Sequence, residues 1–293
     1  MQYTIENEKM ALTVNSTGAE AVALVKKADG AQLLWNGDKA VWPRHAPVLF
    51  PYVGKVKGGE IEIEGKVYPA PQHGFSRDLE HRVARQGESS ITFELEASGE
   101  TRKWFPYDFV LRNIYTLEGE TLRHTIQVVN RDNRVLRFGV GYHPGFTCPF
   151  DDAHTTEDYV LRFDAPQTPV VVDNRPNGFV TDKRYELMQD STDIPLTDHL
   201  FDEDSICMSG LTAKTLSLVE KDTGRRVTVD IEGYPYTLIW SMPTKPLQFV
   251  CIEPWRSVQD REDANGRWQD KPCAAALAPG ESYETSLAMT FAR

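Results

Sequence analysis

Apolar and polar residues alternate with a period of two through most of the chain, and glycine-bearing reversals separate the alternating runs. Four long segments read as β-hairpins: 60–70 (EIEIEGKVYPA), 81–97 (HRVARQGESSITFELEA), 109–130 (FVLRNIYTLEGETLRHTIQVVN) and 216–233 (LSLVEKDTGRRVTVDIEG). Their turns carry EG, QGE, EGE and DTG, where glycine accepts the backbone angles that tight reversals demand. Further strands are predicted at 20–27, 32–36, 135–141, 159–165, 236–241, 247–253 and 282–291. No long segment repeats apolar residues at helical spacing. The pattern predicts an all-β fold, a large antiparallel β-sandwich of two sheets packed face to face. No Pro/Ser/Gly linker divides it, so residues 1–293 are read as a single domain. The least regular part is 166–206, rich in proline and acid, and a loop segment of that length in a compact domain is often functional.

Composition narrows the function classes. A formal net charge of −11 opposes sequence-independent binding to nucleic acid, which requires a basic surface, and it repels anionic membranes. No apolar stretch has membrane-spanning length, and the first residues lack the basic and apolar regions of a secretion signal. Cys148, Cys207, Cys251 and Cys273 have no framework spacing and read as buried hydrophobes or idle thiols, which suits a reducing compartment. A cytoplasmic location is therefore expected, and the glycosylation-like NST at Asn15 has no consequence there.

The candidate chemistry lies in a few short strings. GYHPGF, residues 141–146, places His143 at the end of an apolar run, where Pro144 stops strand pairing and Gly141 and Gly145 let the chain bend. FVCIEPW places Glu253 at the end of the strongest apolar strand, on the same face as Phe249 and Cys251. Burial raises a carboxyl pKa and makes the carboxylate a stronger proton acceptor near neutrality. Taken singly, Glu253 is equally a strand-end partner for Arg256, and His143 a hydrogen-bonded framework residue. QHGFSRD adds His73, Arg77 and Asp78, and WPRHAPVLFPYVGKVKGG adds Arg44, Lys55 and Lys57, cations suited to an anionic ligand or to solvent. Metal-ligand spacings, a nucleophile elbow, a phosphate loop and a dinucleotide fingerprint are all missing. Acid/base work by histidines and carboxylates, without a metal or other cofactor, is what remains.

HGFSRD, GYHPGF, LFDEDS and FVCIEPW, in this order and over nearly the full length, make the chain resemble the aldose 1-epimerases (mutarotases). PVLFPYVG and CIEPW are similar to the LacX-type branch in particular. The resemblance implies a β-supersandwich of the galactose mutarotase kind. It implies that Glu253 is the general base for the anomeric O1 hydroxyl and His143 the general acid for the ring oxygen, with His73 binding the sugar beside them. Arg44, and after it Arg77, match sugar-binding positions. Asp202 matches the sugar-binding aspartate, with Asp204 as the alternative. Lys55 stands where many relatives carry arginine, so one ammonium replaces a planar fork. Trp255 and Tyr142 offer rings for the apolar face of a sugar. The implied partner is a monosaccharide or sugar phosphate. Two other readings are a carbohydrate-binding or regulatory module without turnover, and glycoside hydrolysis by Glu253 with Asp202 or Asp204. Neither the sugar nor the oligomeric state is legible.

Overall fold

The computed structural model describes residues 1–175 and 177–292. Among them are β-strands and short 3₁₀ turns, with no α-helix. All four hairpins form where the alternation places them: Glu60–Ile63 with Lys66–Pro69, Arg82–Gln86 with Ser90–Glu96, Phe109–Glu118 with Thr121–Asn130, and Thr215–Glu220 with Arg226–Asp230. Three of them belong to one nine-stranded antiparallel sheet, in which the C-terminal strand Ser282–Ala292 lies between Arg226–Asp230 and Thr121–Asn130. A second, eight-stranded sheet is built around Phe249–Trp255, and a separate three-stranded sheet forms at the N-terminus.

Three local expectations are corrected. Residues 32–36 make only isolated bridges, because Trp35 turns to stack on Phe249 at 4.9 Å instead of extending a ladder. The N-terminal strands Gln2–Glu6 and Met10–Asn15 are additional to the predicted set; the first buries Ile5 alone among polar neighbours, whereas the second alternates with Met10, Leu12 and Val14 inside. The segment 166–206 is more regular than its composition suggests. Val170–Val172 and Arg184–Glu186 extend one end of the eight-stranded sheet, and Ser191–Pro195 edges the nine-stranded one. Arg184–Glu186 and Ser191–Pro195 are short polar edge strands, the second ending in proline, which exposed edges tolerate; Val170–Val172 is apolar, lies one strand in and is only three residues long.

The strand Phe249–Trp255 is buried along its whole length, and its alternation divides two environments. Val250 and Ile252 enter the main core with Leu12, Phe50, Phe109 and Leu218. Phe249 and Cys251 point to the other face, into an aromatic layer with Trp35, Trp42 and Trp240. Glu253 therefore stands in a row of packed side chains, as its strand parity predicted, but on the face turned away from the main core.

Behind this face lies a buried ion pair. The Lys271 ammonium bonds the Asp260 carboxylate, with both side chains about one-twentieth exposed. The other carboxylate oxygen of Asp260 accepts the Lys57 amide at 2.9 Å, and the Asp260 amide donates to the Lys55 carbonyl at 3.1 Å. One residue thus pins the 55–57 segment to the strand-end region carrying Gln259. Removing only the cation strands a buried charge, so Lys271→Met is expected to lower stability by about 3–5 kcal/mol, read from the midpoint of urea unfolding.

Candidate active site

Strand register brings the two principal residues together. Gly141 pairs with Trp255 and Gly145 with Cys251, across the same strand Phe249–Trp255. Both pairs share one offset, which carries through the interruption at His143–Pro144 and sets His143 opposite Glu253. Directly opposed residues of antiparallel strands share a face with Cβ atoms about 5 Å apart. The side chains meet accordingly, with His143 Nε2 3.3 Å from a Glu253 carboxylate oxygen. The flanking glycines are explained by space, not by the bending freedom expected of them. Neither has a positive φ. A Cβ on Gly141 would lie 2.6 Å from the Trp255 indole, and one on Gly145 would lie 2.9 Å from Trp42.

Aromatic rings enclose the pair. The His143 imidazole stacks on Trp42 at 5.1 Å and meets Trp240 and His73 edge-on at 5.6 Å and 5.4 Å. His143 is 8% exposed and Glu253 2%. Burial, with the Arg77 charge adding to it, pulls the His143 pKa down to about 3. Burial pushes the Glu253 carboxyl well above its ordinary range, and the Asp204 charge adds to that. Both shifts favour the neutral forms, an uncharged imidazole and a protonated carboxyl.

His73 is fixed by reciprocal bonds with Gly54: its amide donates to the Gly54 carbonyl at 2.9 Å, and its Nδ1 accepts the Gly54 amide at 3.1 Å. An accepting Nδ1 leaves the proton of the neutral ring on Nε2, which faces the Gln72 side-chain amide at 3.2 Å. Burial and the neighbouring His143 depress its pKa well below the histidine range. The geometry comes at the cost of a positive φ of 65° at His73.

Trp42, Lys55, Gln72, His73, Arg77, His143, Asn174, Asp204, Trp240, Glu253, Trp255 and Gln259 line one cavity of about 230 Å³. That lies below the roughly 300–1,000 Å³ typical of drug-sized ligands and suits a small one. Of the seven residues singled out by sequence, Glu253, His143, His73, Lys55 and Arg77 lie on the cavity. Arg44 sits behind it, donating to the Arg77 carbonyl at 3.1 Å and pairing with Asp78. Asp202 points to a different surface hollow, where it accepts from His199 at 2.7 Å, while Asp204 takes the cavity wall. The Lys55 ammonium donates to the Asn177 carbonyl at 2.9 Å. Tyr142 is a core residue whose hydroxyl donates to the Thr285 carbonyl at 2.7 Å, whereas Trp255 does face the cavity. Gln72, Trp42, Trp240, Asn174 and Gln259 went unnoticed. Only Gln72, next to His73, had a signal to follow.

The aldose 1-epimerase family model matches residues 1–290. The chain belongs to the aldose 1-epimerase family. Its LacX-type character follows from curated relatives: the plasmid-encoded protein LacX of Lactococcus lactis subsp. lactis is 26% identical over 299 residues, covering 99% of both chains. A galactose mutarotase related enzyme from Lactobacillus acidophilus superposes with a TM-score of 0.95 at 33% identity, covering 100% of this chain and 98% of that one. A galactose mutarotase-like protein from Lactobacillus casei gives 0.91 at 29% identity, covering 100% of each. The epimerase fold is thus the β-sandwich that the alternation predicted. No helix among the described residues is long and apolar enough to cross a membrane.

Burial disfavours the charged imidazole, so in NMR titration His143 is expected to stay neutral as pH falls through 5 and to take up a proton only near about 3. Half-buried His154, hydrogen-bonded to Asp151 and Asp222, is expected to titrate at about 8 in the same spectra. A His143 midpoint near the ordinary value of about 6.5 would contradict this electrostatic picture.

Proposed function

We propose that this epimerase-family protein is a mutarotase, interconverting the α and β anomers of a hexose or hexose phosphate by opening and closing the ring. The observation that carries the reading is the 3.3 Å contact between His143 and Glu253 at a small, tryptophan-lined cavity. In a cyclic sugar, O1 and the ring oxygen are bonded to the same carbon, so two proton-transfer groups serving them must themselves lie close together.

The proton count of the pair fits the reaction. Imidazolium with carboxylate and imidazole with carboxylic acid hold the same number of protons. When Glu253 takes the proton from the O1 hydroxyl, His143 gives its proton to the ring oxygen. The C1–O5 bond breaks, its electron pair goes to O5, and a C1 carbonyl forms. This returns the pair from its ionic to its neutral form, which burial favours, and so recovers the cost of the proton transfer from Glu253 to His143 that readies the pair. Rotation about the C1–C2 bond turns the other carbonyl face to O5, and the reverse transfers close the ring as the other anomer. Each proton transfer contributes roughly 100- to 10,000-fold. The Nε2–H of His73 donates to a sugar oxygen beside the pair. Arg77, Lys55 and Asp204 contact the outer hydroxyls or a phosphate, and Arg44 acts by holding Arg77.

Anomer exchange followed by NMR saturation transfer is expected to fall by about 100-fold or more in Glu253→Gln, while the sugar still binds by calorimetry. Exchange at the unaltered rate would remove the base; sugar binding by the unsubstituted protein without any exchange would make it a binding protein instead. The pH profile of kcat/KM gives a separate check. An acid limb arises when an additional proton reaches the imidazole, and an alkaline limb when the shared proton leaves the carboxyl. With His143 at about 3 the acid limb is expected well below the range where a free histidine titrates, and with Glu253 raised by burial the alkaline limb is expected above the ordinary carboxylate range.

A further inference from the structure

Cys251 takes no part in the chemistry above, yet its thiol lies against the pair that does. One nitrogen of His143, the Cys251 Sγ and one oxygen of Glu253 all fall within 4.8 Å of one another. The strand supplies this arrangement: residues 251 and 253 project from one face at alternate positions, and His143 joins them from the neighbouring strand.

We propose that His143, Cys251 and Glu253 form a binding site for a soft divalent cation of the zinc class, one whose occupancy blocks the catalytic pair. Nitrogen, thiolate sulfur and carboxylate oxygen are the donors zinc takes, and three protein ligands leave its fourth tetrahedral position to water or another small ligand. Two ligands at about 2.0 Å in a tetrahedron stand about 3.3 Å apart. His143 Nε2 and the Glu253 oxygen already have that separation. Sulfur at about 2.3 Å from the metal would lie about 3.5 Å from either of them, so the thiol has at most about 1.3 Å to move. Charge also balances. A dication replacing the protons of a thiol and a carboxyl adds no net charge to a buried site, whereas a lone cation there would be expelled. Of the other charged groups on the cavity, Asp204 favours the ion and Arg77 and Lys55 oppose it. Cys251 is fully buried, and a thiolate there favours an ion that forms strong bonds to sulfur.

The occupied site would be an inhibited one, since the metal would hold the lone pairs of both proton-transfer groups. The test is a titration of the full-length protein with cadmium chloride, following thiolate-to-cadmium charge-transfer absorption, and with zinc chloride by calorimetry. One saturable site is expected, with affinity lowered by about 100-fold or more in Cys251→Ala, a larger loss than removal of an outer partner brings. Cys251→Ser serves as a second variant should the alanine pack poorly. Because Cys251 is outside the proposed proton-transfer machinery, both variants should keep anomer exchange and lose its inhibition by zinc. The absorption readout needs no catalysis, so it can fail or succeed independently of the mutarotase reading. No cadmium–thiolate band, or a band of the same strength and affinity without Cys251, would overturn the site. So would equal zinc inhibition in wild type and Cys251→Ala, which would place the ion elsewhere.

Discussion

One cross-strand register governs this molecule's chemistry. The ladder that pairs Gly141 with Trp255 and Gly145 with Cys251 leaves three residue pairs between them, and the middle one is His143 and Glu253. A shift of one residue would turn one of the two partners to the opposite face. Their proximity is therefore a property of a sheet, held by backbone hydrogen bonds and by the two tryptophans seated over the glycines, and it does not depend on loop conformation.

The same ladder explains how a polar pair survives burial. Unpaired, a buried carboxyl or imidazole is costly. Paired and isoprotic, they can remain neutral without a counterion, while Trp42, Trp240 and Trp255 keep water from solvating either one. The enclosure that depresses one pKa and raises the other is thus a single physical cause acting on two residues.

Much of this was legible in the sequence. Hairpins with strong alternation were readable because each strand buries one face, and Glu253 was conspicuous because an acid broke an apolar row. The edge strands Arg184–Glu186 and Ser191–Pro195 were not readable, since short polar strands with one free edge carry little hydrophobic signal. Arg44 illustrates a second limit: sequence context put a cation near the site, but whether it faces the cavity or props up Arg77 depends on the third dimension. Asp202 and Asp204 show the finest limit. Two residues apart in an irregular turn, both border the outer hollow but only Asp204 also reaches the cavity, and parity arguments fail where there is no strand. Trp42 opens the same string as Arg44, and Gln259 follows Glu253 by six residues, but nothing in their local pattern says that they reach the cavity.

The cavity is assembled from parts of unequal constancy. Its floor is sheet, while Asn174 and Asp204 belong to the segment that edges both large sheets, and Lys55 is tethered to that segment through Asn177. Edge strands and their connections accept insertions and exchanges that a central ladder cannot. A lineage could therefore retune which ligand is admitted by editing this rim, leaving the paired donors beneath it untouched.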